Sequence, residues 1–246
     1  MLINQRLQFD TVFKTHRIKT NDTVSKLYER RYEMKILIAI PCMDNVSVYF
    51  AESLLNMDKP DGSSVTFQRG SLIYDGRNLI SLKAITEQYD YVMWIDSDMI
   101  LPKDTLPRLL AIAQEKDVPM VSGLYVKRAY PTSPVLYSSI AQPAMNKDGF
   151  MIQQIITYED YPQNSVFPVA GCGFGCVLTS VPLLKKVWDK FGPAFSPYPW
   201  AGEDISFCYR VNQLNETILC DSSISCGHIG TLAYTEKMLK RGEQND

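Results

Sequence analysis

The sequence predicts an α/β domain built on a mostly parallel central sheet flanked by helices. Three observations carry this. The apolar runs Ile36 to Ile40 and Tyr91 to Ile95 are continuous rather than alternating, the profile of strands buried on both faces. Stretches with helical spacing separate the strand-like runs of the first half. No internal repeat or low-complexity linker divides the 246 residues, so one domain is expected after a distinct N-terminal segment.

That segment, residues 1–33, carries seven Lys/Arg against four Asp/Glu, a net of +3, whereas the rest carries 18 against 23, a net of −5. Two readings stand. Residues 1–33 are a genuine basic arm, or Met34 is the biological start and they are a translated leader. If Arg30 and Arg31 use AGG codons, the message places AGGAGG shortly before an ATG, as at a bacterial ribosome-binding site.

From Lys35 the pattern is regular. A strand over Lys35 to Ile40 ends at Pro41, a helix covers Val48 to Leu55, and a second strand covers Ser64 to Phe67. An amphipathic helix follows over Leu72 to Glu87, with Leu72, Leu79, Leu82 and Ile85 expected on its inner side. Tyr91 to Ile95 is the strongest strand of the chain. Pro102 and the Leu106, Leu109, Leu110, Ala113 spacing mark a further helix, and Met120 to Gly123 a further strand. This βαβαβαβ order implies parallel strands joined by right-handed crossovers. The second half is more mixed. Val135 to Tyr137, Phe150 to Tyr158, Val166 to Ala170 and Cys176 to Thr179 read as strands; Val181 to Phe191, with Pro182 in its first turn, and Asp204 to Leu214 read as helices.

Composition excludes several classes. With 46% apolar and 21% charged residues, the chain is neither disordered nor a supercharged nucleic-acid binder. Its apolar runs fall far short of the roughly 20 residues that cross a bilayer, and a cytoplasmic location is expected. Six dispersed cysteines predict no structural disulfides.

The chemistry concentrates in Asp96-Ser97-Asp98, directly after the strongest strand. Open α/β sheets bind ligands at the carboxyl ends of their parallel strands. Alternate residues of an extended chain point the same way, so both carboxylates can face one site. Two hard oxygen donors suit Mg2+ or Mn2+ shared with a substrate phosphate; a solvated acidic turn is the bland alternative.

Ile38-Ala39-Ile40-Pro41, Asp75-Gly76-Arg77-Asn78, Trp94 to Asp98, Gly123 to Lys127, Gly202-Glu203-Asp204 and Gly227-His228, in that order, resemble a GT-A fold glycosyltransferase. The likeness is to the compact family 2-like enzymes of bacteria and their phages, and it runs from about Lys35 to Gly230. The resemblance implies a single Rossmann-like domain over residues 34–246 and transfer of a sugar from a nucleotide-sugar, UDP-linked, to an acceptor hydroxyl. It implies metal ligation by Asp98 and His228, with Asp96 on the ribose or on the metal through water, and with the imidazole tilting selectivity toward Mn2+. It places Pro41, Arg77, Asn78, Asp96, Ser97, Lys127 and Gly173 at the donor. Arg77 and Lys127 would add positive charge near the diphosphate, and the glycine-rich turn Gly171 to Cys176 would let backbone approach the sugar.

By family position Asp204 is the base and Glu203 second, which favours inversion. Capping of the helix that begins there competes with this role. Trp200 would stack on an acceptor sugar or belong to the core. The acceptor stays open among glycan, lipid-linked sugar, protein and modified DNA base. Three other classes compete: a catalytically silent nucleotide-sugar binder, a HAD-type phosphatase with Asp96 as nucleophile, and a zinc module drawn from Cys208, Cys220, Cys226 and His228.

Overall fold

β1 (Ile36–Cys42), α1 (Val48–Asn56), β2 (Ser63–Arg69), α2 (Ile73–Thr86) and β3 (Tyr91–Ile95) follow one another as the pattern predicts. The structure, a computed structural model, describes residues 34–70 and 72–230, so the leader or arm of residues 1–33 lies outside the described residues. The chain continues through β4 (Met99–Ile100), α3 (Thr105–Glu115), β5 (Met120–Leu124), β6 (Leu136–Met145), β7 (Met151–Thr157), β8 (Val166–Pro168), β9 (Gly171–Cys172) and β10 (Cys176–Ser180). α4 (Val181–Phe191), α5 (Glu203–Gln213), β11 (Ile218–Ser225) and β12 (Gly227–His228) complete it.

Seven strands form the central sheet in the order β2-β1-β3-β10-β5-β11-β8. β2, β1, β3, β5 and β11 run one way; β10 and β8 run against them. The parallel series expected of the first half is therefore interrupted in space. β10 lies antiparallel between β3 and β5, although it follows β5 by about fifty residues of chain. One reason is visible at Trp94, which is fully buried and whose indole N–H donates to Thr179 Oγ1 on β10 at 2.9 Å. A buried indole needs such a partner, and the interposed strand supplies it.

Both faces of the sheet are covered, as continuous apolar strands require. Leu37, Ala39, Val92, Trp94 and Val177 face one core with Ile80 and Ala84 of α2, Leu183, Leu184 and Val187 of α4, and Phe207 and Val211 of α5. The alternate residues Ile36, Ile38, Ile40, Met93 and Leu178 are equally buried. The second layer comes from α1 and α3, whose buried residues Phe50, Leu54, Leu106 and Leu109 lie outside that first cluster. Local signals explain the helix ends. Ser47 Oγ accepts from Tyr49 N–H to start α1, Ser180 Oγ accepts from Leu183 N–H to start α4, and Gly192 closes α4 at φ +80°.

The inner side of α2 differs from expectation. Leu79 is 54% exposed, Leu82 41%, and Leu72 just before the helix is exposed too. The buried residues are Gly76, Arg77, Ile80, Ser81 and Ala84, with Ile85 partly buried. Small residues let the helix lie close to the sheet, where a Cβ on Gly76 would already come within 3.3 Å of Gln68. They also turn Arg77 inward. β6, β7 and β9 form a separate three-stranded sheet, and β12 pairs with β4. Among the described residues, no helix is long and apolar enough to cross a membrane.

Candidate functional site

Four parallel strands deliver their carboxyl ends to one place. β1 ends at Pro41 and Cys42, β3 runs into Asp96-Ser97-Asp98, and β5 leads to Tyr125 and Arg128. β11 leads to His228, but only after a detour. Its register against β5 slips between Asp221 and Ser225. The bulge is held by the Asp221 carboxylate, which accepts from Ser223 N–H at 2.9 Å and pairs with Arg108 at 3.0 Å. Bulges re-aim a strand, and here the redirected chain is stitched back: Cys226 N–H donates to Leu124 O, and Ile229 N–H to Asp98 O, both at 2.8 Å. β12 thereby sets His228 opposite Met99.

His228 and Asp98 face one another. The imidazole Nδ1 lies 2.8 Å from Val126 O, which as a carbonyl accepts its proton, and Nε2 is the nitrogen turned toward Asp98 Oδ2, 3.6 Å away. Metal-bound histidines carry such a backbone partner on the opposite nitrogen. Two cis ligands each about 2.1 Å from Mg2+ or a similar ion stand roughly 3 Å apart, and wider angles bring them toward about 4 Å. The observed separation fits a shared ion. No group of three or more His, Cys, Asp or Glu among the described residues converges as a complete cage. That suits an ion that keeps several waters and substrate phosphates.

Asp96 has a partner inside the protein. Its Oδ1 accepts from Arg77 Nη2 at 2.7 Å. Arg77 is 1% exposed, lies over Trp94, Phe174 and Phe195 at 5.2–5.9 Å, and approaches Glu203 Oε1 with Nε at 3.5 Å. It is thus a buried strut between the acid after β3 and the acid that opens α5, rather than a surface cation offered to a diphosphate. Asn78 is also turned inward, its Oδ1 accepting from Phe195 N–H at 2.8 Å.

The cation beside Asp98 is Arg128, whose Nη1 donates to Asp98 Oδ2 at 2.7 Å. Lys127, the residue singled out from sequence, is exposed one position earlier, its backbone N–H donating to Ser133 O. Arg128 went unnoticed because loop geometry carries no periodicity; the paired basic residues were the available signal. The glycine-rich turn serves an internal neighbour. A Cβ on Gly173 would meet Tyr125 Oη at 2.0 Å and Val135 at 2.7 Å, and one on Gly175 would meet Met99 and Tyr125. The close approach that demands glycine is made by Tyr125, whose hydroxyl accepts from Gly175 N–H.

Asp204 lies in the first turn of α5, after the N-cap Gly202, and its Oδ1 accepts from Ile205 N–H at 2.7 Å. Burial pushes its carboxyl up to about 6, and the charge of Glu203 adds to this, against the opposing pull of Arg77. Tyr137, pushed up to about 12 by burial, feels the charge of Asp204, and Tyr125 is raised well above the usual phenol by burial and then by Asp96. The two tyrosines therefore line the same acidic neighbourhood. Trp200 stacks on Tyr198 at 5.3 Å and meets Tyr209 edge-on at 5.2 Å, so it belongs to an aromatic group packed on the core.

The cysteines considered for zinc are dispersed. Cys208 contacts Cys172, Cys226 contacts Cys176, and Cys220 contacts Ser122; burial pushes the Cys220 thiol up to about 12. Among the described residues they do not come together with further His, Cys, Asp or Glu side chains as a group of three ligands.

No family model matches the chain, and no curated protein does. Solved structures do. A197 from STIV superposes with a TM-score of 0.58 at 18% identity, over 80% of this chain and 87% of that one. GalNAc-T7, crystallised with UDP, GalNAc and Mn2+, superposes with a TM-score of 0.54 at 10% identity, over 81% of this chain and 44% of its own length. The fold is GT-A-like. The present chain spans under half the length of the GalNAc-T7 chain it resembles. The GT-A-like core accounts for the position of the Asp96-Ser97-Asp98 turn at a strand's carboxyl end, where such sheets take ligands.

Proposed function

We propose that the chain is a metal-dependent glycosyltransferase that moves a sugar from a UDP-linked donor to an acceptor hydroxyl, with inversion at the anomeric carbon. The observation that carries the reading is the pairing, at one end of a GT-A-like sheet, of a facing Asp98 and His228 with a carboxylate, Asp204, that holds its proton to about pH 6. GalNAc-T7, the similar structure solved with UDP and Mn2+, supports the choice of donor and metal. Asp98 and His228 would hold Mn2+ or Mg2+, which supplies positive charge against the diphosphate as it leaves.

The remaining roles belong to the chain itself. Asp204 takes the proton of the attacking hydroxyl on Oδ2, since Oδ1 is engaged by Ile205 N–H. A base poised near the operating pH is the efficient choice. Arg77 fixes Asp96 and Glu203 relative to each other, so the donor-side acid and the start of the acceptor-side helix move as one. Ser97 and Pro41, at the ends of β3 and β1, border the donor. The same Arg77 contact argues against the phosphatase alternative, because a carboxylate held by a buried guanidinium is a blunted nucleophile. A cytoplasmic setting accords with six free cysteines.

The test is a calorimetric titration of nucleoside diphosphates and their sugars, with Mn2+ and with chelator, on wild type and Asp98→Ala, followed by turnover with candidate acceptors. Binding of one nucleotide that needs both metal and Asp98 is expected. Metal-independent binding unaffected by Asp98→Ala overturns the metal assignment. Binding without turnover on any acceptor leaves the silent nucleotide-sugar binder in its place.

A further inference from the structure

We propose that Arg128 is an exchangeable counter-ion, which neutralises Asp98 in the metal-free protein and moves onto the donor's diphosphate when a divalent ion binds. The inference rests on the glycosyltransferase reading above and assigns a role to a residue that the motifs did not single out.

The argument begins with one oxygen atom. Asp98 Oδ2 accepts from Arg128 Nη1 at 2.7 Å and faces His228 Nε2 at 3.6 Å. An ion shared by Asp98 and His228 would use the oxygen that the guanidinium now holds. Two cations at bonding distance from a single carboxylate oxygen repel each other strongly, so Arg128 is displaced when the ion enters. It is free to move. The side chain is 52% exposed, stands on the connection between β5 and β6, and rests its aliphatic stem against Gly230, where a Cβ would still lie 3.6–3.8 Å away. Its remaining contact, to Ile229 O, is long at 3.5 Å. Arg77 provides the contrast, being buried under three aromatic rings between two carboxylates.

A displaced guanidinium needs a new anion. A diphosphate held by the same ion is the nearest of matching shape, because the planar fork pairs two phosphate oxygens at once. The exchange also keeps the site's charge low in both states. Among the described residues, Arg77 and Arg128 are the guanidinium groups set against Asp96, Asp98, Glu203 and Asp204. When metal and diphosphate arrive together, the metal takes over Asp98 and the arginine answers the added phosphate charge.

The experiment uses the full chain as wild type, Arg128→Gln and Arg128→Lys. Mn2+ affinity without nucleotide is read from the electron paramagnetic resonance signal of free Mn2+, and UDP affinity at saturating Mn2+ is read by calorimetry. For Arg128→Gln the Mn2+ dissociation constant is expected to fall about two- to fivefold, the range of an exposed ion pair removed as competitor. The UDP dissociation constant is expected to rise about tenfold or more, the loss of a charge-assisted contact. Arg128→Lys is expected to recover part of the UDP affinity, since lysine binds phosphate as a point charge.

The opposite signs are what identify an exchange. If Arg128→Gln leaves both constants unchanged, weakens Mn2+ binding, or tightens Mn2+ without weakening UDP, the proposal is overturned. If wild type binds no nucleoside diphosphate in the presence of Mn2+, it is the glycosyltransferase reading that fails, and the role of Arg128 falls with it.

Discussion

At the scale of single residues, the site spends stability on chemistry at Asp204. Its carboxyl is raised from an ordinary 3.8 to about 6, chiefly by burial, so the folded chain holds this proton across an interval in which the unfolded chain has lost it. The native state binds more protons there, and the contribution of Asp204 to stability therefore declines as pH rises from about 4 to about 6. Asp204→Asn keeps an acceptor for Ile205 N–H and removes the charge. It is expected to raise unfolding stability at neutral pH by about 1–3 kcal/mol, measured by urea denaturation, while transfer to the acceptor is lost and UDP binding is retained. Loss of stability instead would mean that the ionised carboxylate has a partner beyond the helix turn. The same titration predicts the rate profile. kcat/KM should rise with pH through about 6 as Asp204 becomes an ionised base, and a profile flat from pH 5 to 8 would remove Asp204 from that role.

At the scale of elements, α2 shows where pattern reading succeeds and where it misleads. Its extent was legible, because helical spacing over Leu72 to Glu87 leaves little choice of structure, and the observed helix is Ile73–Thr86. Its facing was not. Large apolar side chains suggested an inner row of Leu72, Leu79, Leu82 and Ile85, of which Ile85 does pack on the core, but the helix is buried through Gly76, Ile80, Ser81 and Ala84, and Arg77 reaches Asp96 and Glu203. A buried, ion-paired arginine overrides the hydrophobic stripe, and no periodicity reveals it. The facing has a measurable consequence. Leu79→Gln and Leu82→Gln, both on exposed positions, are expected to change stability by less than about 0.5 kcal/mol. Ile80→Ala, at a fully buried position, is expected to cost about 2–5 kcal/mol. Thermal denaturation of the three variants decides it, and a large cost at Leu79 would mean that its face is covered in the folded protein.

At the scale of the whole molecule, most strands were readable, β11 (Ile218–Ser225) was not among those expected, and the strand order was not legible at all. Continuous apolar runs identify β1 and β3 because sheets covered on both faces tolerate no polar alternation. The insertion of β10 between β3 and β5 depends on contacts between residues far apart in sequence, such as Trp94 with Thr179, and these leave no local trace. The candidate site divides in the same way. Asp96, Asp98, His228, Glu203 and Asp204 were legible as motifs, whereas Arg128 and Tyr125 take their places from the loop after β5, whose path only the folded sheet defines. A site assembled from the ends of four strands and the start of one helix exists only in the folded chain, so its ligand must stabilise the fold as a whole. UDP with Mn2+ at a hundred times its dissociation constant is expected to raise unfolding stability by about 2.7 kcal/mol. UDP with chelator should give a much smaller rise, and in Asp98→Ala added Mn2+ should contribute nothing beyond UDP alone. Differential scanning calorimetry distinguishes the outcomes: equal shifts with Mn2+ and chelator would show that the nucleotide binds without metal, and a metal-dependent shift that survives in Asp98→Ala would move the ion to other ligands.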